Sequence, residues 1–214
     1  MRLVKRDYEI LREIDRWRFC LSRHVKLIGG FGSQSACDRR LKLLRKAGYV
    51  DRKRIIYGVP SEYFLTYQGK ALLGLSHKLD KIKLEQITHD IAVLDTVMYF
   101  MLKEGIPLSD ILSEKQLHGL DGFGFRRHRP DFVFTKADKK YCVEVELSPK
   151  SRDKFEQNLR QNFEAYEVQN WVVPQSQVKI TEMLQQNMTA YPNIEVIKLE
   201  EVESYVRNYG KSES

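Results

Sequence analysis

The chain has 214 residues, of which 42% are hydrophobic and 30% charged, and its net charge is +7 at pH 7. This length suffices for one large domain or two small ones with an ordinary hydrophobic core. No apolar run approaches ~18 residues and the amino terminus lacks the apolar core of a secretory signal, so neither a membrane segment nor secretion is expected.

The three cysteines, Cys20, Cys37 and Cys142, are widely spaced and odd in number. This pattern favours reduced thiols over a disulfide framework or a zinc site. We therefore expect a cytoplasmic protein.

The positive charge is concentrated in the first part of the chain. Residues 1–80 contain 18 Lys and Arg against 8 Asp and Glu, a net charge of +10, and the remainder contains 18 against 21, a net charge of −3. A basic module followed by a slightly acidic one is the pattern of a DNA-binding module joined to a carboxylate active site. A solvated basic face gives the same charge, and charge alone leaves both interpretations open.

In chain order, the periodicity of apolar residues predicts three helices, at residues 7–17, 21–28 and 33–47. Ser33 is a predicted N-cap of the third helix, and Gly48 stands where a glycine commonly ends one. A short helix, a glycine-containing turn and a basic second helix are the elements of a helix-turn-helix.

The third helix has an apolar side and a polar side. Leu41 and Leu44 can pack inward. The first polar residues of such a helix face base edges, and its basic residues face phosphates. The predicted DNA-binding residues of this helix are Gln34, Ser35, Arg39, Arg40 and Lys42.

A basic hairpin follows the third helix. Its predicted strands are Tyr49-Val50 with Ile55–Tyr57 around a turn at residues 51–54, then Glu62–Thr66, and a helix opens after Thr66. This order resembles a winged helix, which implies that residues 1–80 are a DNA-binding domain whose wing presents Arg52, Lys53 and Arg54 to DNA. Winged helices also serve as protein–protein adaptors, but the basic helix and wing favour DNA.

A charged, helical connection is predicted at residues 78–86, before a strongly apolar helix, His89–Leu102, that we expect to lie against a sheet. Residues 111–117 are a predicted strand that carries Glu114. A glycine-rich loop at residues 119–124 then leads into a run of arginines. Beside a carboxylate site such arginines can hold a phosphate backbone, and they are Arg126, Arg127 and Arg129.

The next stretch, Arg129 to Lys150, predicts a β-hairpin with three carboxylates. Two apolar runs flank a charged turn, and alternation along the second strand places Glu144 and Glu146 on one face. Buried carboxylates require a partner or a metal, and a divalent cation with oxygen ligands fits such a cluster with Asp131. An edge strand with two solvated glutamates is the alternative.

Pro130-Asp131 and Glu144-Val145-Glu146 resemble the PD-(D/E)XK nuclease superfamily. The resemblance implies that Asp131 and Glu144 bind Mg²⁺ or Mn²⁺, with Glu146 and Glu114 as further candidate ligands. Glu146 stands where the family usually has lysine. Lys150 is the nearest lysine that can reach back, with Lys154 one turn further on.

Beyond Lys150, a helix is predicted first, from the recurrence of Phe155, Leu159, Phe163 and Tyr166. Strands at residues 171–174 and 194–199 then alternate with helices at residues 178–188 and 200–209. We therefore expect an α+β or α/β chain in which a winged helix precedes a restriction-endonuclease-like α/β/α sandwich with a mixed sheet, at residues 81–214. Tyr166, the candidate for a covalent DNA adduct, is spaced with Phe155 and Leu159 like a core residue.

The whole arrangement resembles the plasmid replication-relaxation family, and within it the MobC-type (MOBC-class) conjugative relaxases. This resemblance rests on residues 66–69, His89, Arg129-Pro130-Asp131 and Glu144–Leu147. It implies an endonuclease that binds double-stranded DNA at a plasmid transfer origin and nicks one strand, with Asp131, Glu144, Glu146 and Lys150 as the catalytic set. It further implies a coupling protein and accessory relaxosome proteins as partners.

Two alternatives stay open from the sequence. The lysine-to-glutamate departure at Glu146 suggests a DNA-binding regulator or replication factor whose nuclease core has degenerated. A restriction-type enzyme that cuts both strands is the other alternative, and it requires symmetric dimers on palindromic sites.

Overall fold

A computed structural model provides the structure, which describes residues 1–54, 58, 60–76, 78–121 and 128–210 of the chain. The chain divides into two units, Met1–Leu94 and Asp95–Ser214. The division falls inside a helix, Ile87–Lys103. Helices and strands occur in both units, and the larger sheet is mixed, so the chain is of the α+β class.

The first unit contains a small antiparallel sheet of strand order β1-β3-β2 and four helices before the division. β1 is a two-residue strand that the sequence did not predict. The elements are α1 (Lys5–Arg16), β1 (Cys20–Leu21), α2 (Ser22–Ile28), α3 (Gln34–Lys46), β2 (Val50–Lys53), β3 (Glu62–Leu65) and α4 (Tyr67–Leu72).

The bounds of α3 follow from its two ends. Ser33 is the N-cap, and its Oγ accepts a hydrogen bond from the backbone N–H of Ala36 at 3.2 Å. Gly48 follows the helix with a φ of +75°, which a residue without Cβ adopts without strain. Between these ends Leu41 and Leu44 are buried. The predicted third helix and its cap are therefore confirmed.

Two predictions for this unit are wrong, and a third is untested. The basic segment after Val50 is not a turn, because β2 continues to Lys53 and pairs with β3 over its whole length. The predicted strand Ile55–Tyr57 lies outside the described residues. In the connection after α4, the described residues form only a short 3₁₀ turn, Leu84–Gln86, in place of the predicted helix.

The second unit is built around a five-stranded sheet of order β4-β5-β6-β7-β8. The first three strands are antiparallel and the last three parallel. Its elements are the end of α5 (Ile87–Lys103), β4 (Leu112–Ser113), α6 (Glu114–Asp121), β5 (Phe132–Lys136), β6 (Lys139–Val145), α7 (Arg152–Ala165), β7 (Val168–Val173), α8 (Val178–Asn187), β8 (Ile194–Lys198) and α9 (Leu199–Asn208).

Helices of this unit cover both faces of the sheet. On one face Phe132 and Phe134 pack against Phe100 of α5, with ring centroids 6.0 and 5.1 Å apart. On the opposite face Trp171 of β7 packs against Phe155 of α7, and α8 contributes to the same core. The part of α5 around Phe100 thus lies against the sheet, as the sequence predicted.

The hairpin β5–β6 sets the register of the carboxylates. Ala137 and Asp138 both have positive φ, +48° and +61°, which is typical of a two-residue type I′ turn. The last regular pair of the ladder is Phe132 with Val143, so Glu144 lies on the face opposite to Phe132. That is the face covered by α7.

The predicted strand at residues 111–117 is mostly wrong, because a helix begins at Glu114. Its first turn is held by a reciprocal cap: the N–H of Gln116 donates to Ser113 Oγ at 3.4 Å, and the N–H of Ser113 donates to Gln116 Oε1 at 3.1 Å. A Ser-x-x-Gln pattern is a recognised start signal of helices, and here it outweighs the strand-like apolar residues before it.

All three cysteines are buried free thiols, and burial raises the pKa of each. Of the helices in the described part of the chain, none combines the length and the apolar character that crossing a membrane requires.

Candidate functional site

A basic groove lies between α3 and β2 in the first unit. It encloses about 640 Å³, and Asp38, Leu41 and Tyr63 are among its lining residues. The Arg52 guanidinium lies 6.0 Å from the centroid of the Tyr63 ring, and Arg45 Nε lies 3.7 Å from Asp51 Oδ1. The basic side chains of the groove are Lys42, Arg45, Arg52 and Arg54.

Three of the predicted DNA-binding residues, Lys42, Arg52 and Arg54, line this groove. Gln34, Ser35 and Arg39 are exposed on α3. Lys53 points away from Arg52 and Arg54, as alternation along a strand requires, and lines a different cavity.

Arg40 is used inside the first unit. Its guanidinium binds the carboxylate of Asp7 through Nε, at 2.7 Å to Oδ1, and through Nη2. Asp7 is fully buried. Burial raises the pKa of Asp7, but Arg40 and the backbone N–H of Val4 outweigh it, so the pKa is lowered overall. Arg40 therefore ties α3 to α1, and its contact with DNA stays a prediction.

In the second unit, Asp131 lies where β5 leaves its regular pairing with β6. Its N–H donates to Val143 O at 3.1 Å, and its Oδ2 accepts the N–H of Val145 at 2.7 Å. The Asp131 carboxylate thus replaces a backbone acceptor of the ladder. This fixes it alongside Glu144, the residue between Val143 and Val145.

Glu144 is 4% exposed and is held by two side chains. Its Oε1 accepts a hydrogen bond from Asn162 Nδ2 of α7 at 3.0 Å and is also paired with His128 Nε2. The N–H of His128 donates to Gln161 Oε1 of α7 at 2.9 Å. α7 therefore orients Glu144 directly through Asn162 and indirectly through His128.

Glu146 is 4% exposed and forms an ion pair with Lys150, with Oε2 and Nζ 2.5 Å apart. Burial raises the pKa of Glu146, Lys150 opposes the rise, and the carboxylates of Glu144 and Asp131 add to it. Burial would lower the pKa of Lys150, but the carboxylates of Glu146, Glu144 and Asp131 outweigh it and raise this pKa.

Lys150 therefore reaches back to the carboxylates, as an ammonium group within the field of all three. Lys150 follows Glu146 by four positions, and their ion pair holds the ammonium in place. A lysine ammonium therefore lies at the cluster although residue 146 is itself a glutamate.

The carboxylates of the cluster are candidate oxygen ligands for a divalent cation. No group of three or more His, Cys, Asp or Glu residues in the described ranges is arranged to hold a metal ion. Mg²⁺, however, commonly takes only one or two carboxylates and keeps several waters. Asp131 and Glu144 supply two such oxygen donors side by side, so this pair fits a Mg²⁺ or Mn²⁺ ion. Glu146 fits less well, because its carboxylate binds Lys150.

Of the remaining predicted site residues, Glu114 lies at the edge of the cluster. The N–H of Glu114 donates to Asp131 O at 2.9 Å, and its carboxylate lies 3.7 Å from His118 Nε2, one turn along α6. Arg129 is half-buried beside Pro130. Arg126 and Arg127 lie outside the described residues.

Sequence reasoning missed His128 and Asn162 as site residues. His128 was concealed in a run of arginines. Asn162 shares a helix face with Phe155, Asn158 and Leu159, all of which are buried. Two asparagines on an otherwise apolar helix face are the signal that could have indicated a polar site beneath α7.

Comparisons with protein-family models, curated proteins and solved structures give no match to this chain.

Proposed function

We propose that this chain is a metal-dependent DNA endonuclease of the relaxase type, which binds a plasmid transfer origin and nicks one strand. In this proposal the first unit is a winged-helix DNA-binding module and the second a PD-(D/E)XK nuclease core. Double-stranded DNA is the partner, with a coupling protein and accessory relaxosome proteins. The observation that carries the proposal is the convergence of Asp131, Glu144 and Lys150 at one place.

The order and pairing of elements support this assignment in both units. In the first, α1, β1, α2, α3 and an antiparallel sheet of order β1-β3-β2 match the sequence of elements in a winged helix. In the second, a helix, three antiparallel strands, α7 and a parallel strand match the order expected of the nuclease core. The inserted helix α6 is an addition to that order.

The basic groove supports DNA as the partner. Its four basic side chains come from α3, from β2 and from Arg54, which follows β2. These are the two parts of a winged helix that approach a duplex, one toward the major groove and one toward the backbone. Positive side chains spread along such a groove displace counterions from phosphates and bind DNA of any sequence.

In the proposed site Asp131 and Glu144 would hold a Mg²⁺ or Mn²⁺ ion. Such an ion would supply a bound water of lowered pKa and stabilise charge on the phosphate. Lys150 supplies an ammonium group that neutralises a phosphate oxygen, and Glu146 keeps it beside the carboxylates. Asn162 and His128 hold Glu144 in one orientation before DNA binds, which lowers the cost of assembling the site.

The test is incubation of the protein with supercoiled plasmids, with and without a transfer origin, in Mg²⁺ or Mn²⁺. We expect conversion of origin-containing plasmid to the nicked circular form. Asp131→Asn, Glu144→Gln and Lys150→Met should each abolish it. A linear product would favour the restriction-type alternative. Absence of any cleavage with either metal would contradict the assignment as an enzyme.

One observation favours a second candidate function, a DNA-binding regulator with a degenerate nuclease core. Each carboxylate of the cluster already has a protein partner: the Val145 N–H for Asp131, Asn162 for Glu144 and, as an ion pair, Lys150 for Glu146. These contacts hold the three carboxylates in place without a metal. Such a regulator would bind DNA through the basic groove and leave every plasmid intact.

A further inference from the structure

The Asp95–Ser214 unit contains a cavity on the sheet face opposite to Glu144. It encloses about 260 Å³, just below the ~300–1,000 Å³ of pockets for drug-sized ligands. Its floor is formed by strands of the sheet and one wall by the end of α5. Four aromatic rings line it: Tyr99, Phe100, Phe134 and Tyr141.

The aromatic rings form a rigid wall. Phe134 and Tyr141 are stacked with their centroids 4.9 Å apart, and Phe100 lies 5.1 Å from Phe134. The Tyr99 hydroxyl is fixed by a hydrogen bond to Glu201 Oε1 at 2.7 Å. Aromatic walls of this kind favour a flat aromatic ligand, because such a ligand gains contact area and stacking and loses little conformational entropy on binding.

Asn170 provides a specific polar group in this cavity. It lies on β7 beside Val143 of β6 and Glu195 of β8, and it is 2% exposed. Among the residues that the structure describes, its Nδ2 has no hydrogen-bond partner. A buried N–H₂ group without an acceptor costs free energy. A ligand that brings an acceptor, such as a ring nitrogen, removes this cost.

The charges at the cavity select the substituents of the ligand. Lys136 Nζ is already paired with Glu104 Oε2 at 2.6 Å, and Glu195 is an exposed carboxylate. Two carboxylates against one ammonium repel a phosphate and accept hydrogen bonds from an amino group. An asparagine amide pairs with adenine by donating to the ring nitrogen N7 and accepting a hydrogen bond from the exocyclic amino group.

We propose that this cavity binds an amino-substituted nitrogen heteroaromatic ring of the size of adenine, as a free base or nucleoside. The inference is independent of the proposed nuclease function, because none of the residues involved belongs to the carboxylate cluster or to the basic groove. The site is distinct from any contact with the DNA backbone, since its charge disfavours phosphate.

The proposal is tested by calorimetric titration of the full chain with adenine. We expect saturable binding of one equivalent. Indole, a flat bicyclic ring that lacks a ring acceptor, should bind at least tenfold more weakly. Adenosine should bind more tightly than adenosine monophosphate, because the two carboxylates repel the phosphate.

Asn170→Leu should weaken adenine binding at least tenfold without lowering the thermal unfolding temperature, since it removes an unpaired buried amide. Asn170→Val serves the same purpose should leucine prevent folding. Asn158→Leu is the matched control. Asn158 is a buried asparagine of α7 whose Nδ2 also lacks a partner within the described ranges, but it does not line this cavity.

Four results would each overturn the proposal. They are no saturable binding of adenine, equal binding of indole, tighter binding of the monophosphate than of adenosine, and unchanged binding by both Asn170 variants. An equal loss in Asn158→Leu would likewise show that the effect is not local to the cavity.

Discussion

At the scale of single residues, the carboxylates of the candidate site also serve the fold. Asp131 accepts a backbone N–H of β6, and Glu144 accepts the Asn162 amide of α7. A substitution in the cluster therefore changes two properties at once, the chemistry of the site and the hydrogen bonding of the sheet. Variants that keep the shape and the acceptor separate the two.

The first prediction concerns Asp131. Repulsion between clustered carboxylates alone would make removal of one stabilising. Because Asp131→Ala leaves the N–H of Val145 without its acceptor, we expect it instead to lower the free energy of unfolding by about 1–3 kcal/mol. Asp131→Asn retains an amide oxygen and should stay close to wild type. Urea unfolding of the three proteins measures this, and an alanine variant as stable as wild type would mean that repulsion dominates.

The second prediction concerns the pH dependence of stability through Glu146. Burial raises the pKa of its carboxyl above the ordinary value of 4.5. The folded state then binds this proton more tightly than the unfolded state, so the contribution to stability is complete below the unfolded pKa and is lost as pH rises through the folded pKa. Glu146→Gln cannot ionise and escapes this loss.

We therefore expect the stability of Glu146→Gln, relative to wild type, to increase between about pH 4 and pH 7. Urea unfolding at several pH values measures the difference. Glu156→Gln is the control, because its ion pair with Arg152 is exposed to solvent and contributes little to stability. A relative stability of Glu146→Gln that falls as pH rises would show that Lys150 outweighs burial.

At the scale of elements, periodicity and caps predicted the long helices and the strands of the second unit. α3 with its N-cap Ser33 lies close to its predicted bounds, and the predicted hairpin forms as β5 and β6. Where the prediction missed, strand pairing or a cap outweighed the pattern of apolar and basic residues. β2 extends through basic residues because β3 pairs with it, and α6 replaces the second part of the predicted strand because Ser113 and Gln116 cap each other.

The candidate site was predictable only in part for a related reason. Alternation along one strand indicated Glu144 and Glu146, and the spacing of Lys150 allowed it to reach them. Contacts across elements were not readable in this way. The bonds from Asn162 of α7 to Glu144 and from Arg40 of α3 to Asp7 depend on tertiary packing, which no local pattern encodes.

The third prediction tests Arg40 against its neighbour Arg39. Arg40→Ala leaves the buried Asp7 carboxylate without its cation, and breaking such a pair commonly costs about 3–5 kcal/mol. Arg39 is exposed on the same helix, so Arg39→Ala should change the free energy of unfolding by less than about 0.5 kcal/mol.

Urea unfolding measures both variants, and acid adds a second readout. The pKa of Asp7 is lowered in the folded protein, so its contribution to stability is present above the unfolded value and is lost as pH falls through the folded pKa. Arg40→Ala should therefore lose less stability than wild type on acidification. Equal stability of the two arginine variants at neutral pH would mean that the ion pair of Arg40 with Asp7 does not stabilise the fold.

At the scale of the whole molecule, charge and candidate chemistry are divided between the two units. Met1–Leu94 carries 20 Lys and Arg against 10 Asp and Glu, and Asp95–Ser214 carries 16 against 19. The basic groove lies in the first unit and the carboxylate cluster in the second. The proposed function thus assigns DNA binding to the first unit and cleavage to the second. Substitutions in one unit should therefore remove one activity and leave the other.

The last prediction tests this separation in the full chain. Binding of duplex DNA should weaken steeply with salt, because each lysine or arginine on a phosphate releases a counterion. Lys42→Ala and Arg45→Ala should each reduce the slope of log K against log salt by about 0.9. Asp131→Asn combined with Glu144→Gln should abolish nicking and leave this slope unchanged. Lys179→Ala, at an exposed lysine of α8, controls for charge alone. Should the groove variants keep the wild-type slope while Lys179→Ala reduces it, DNA binding would belong to the second unit and not to the groove.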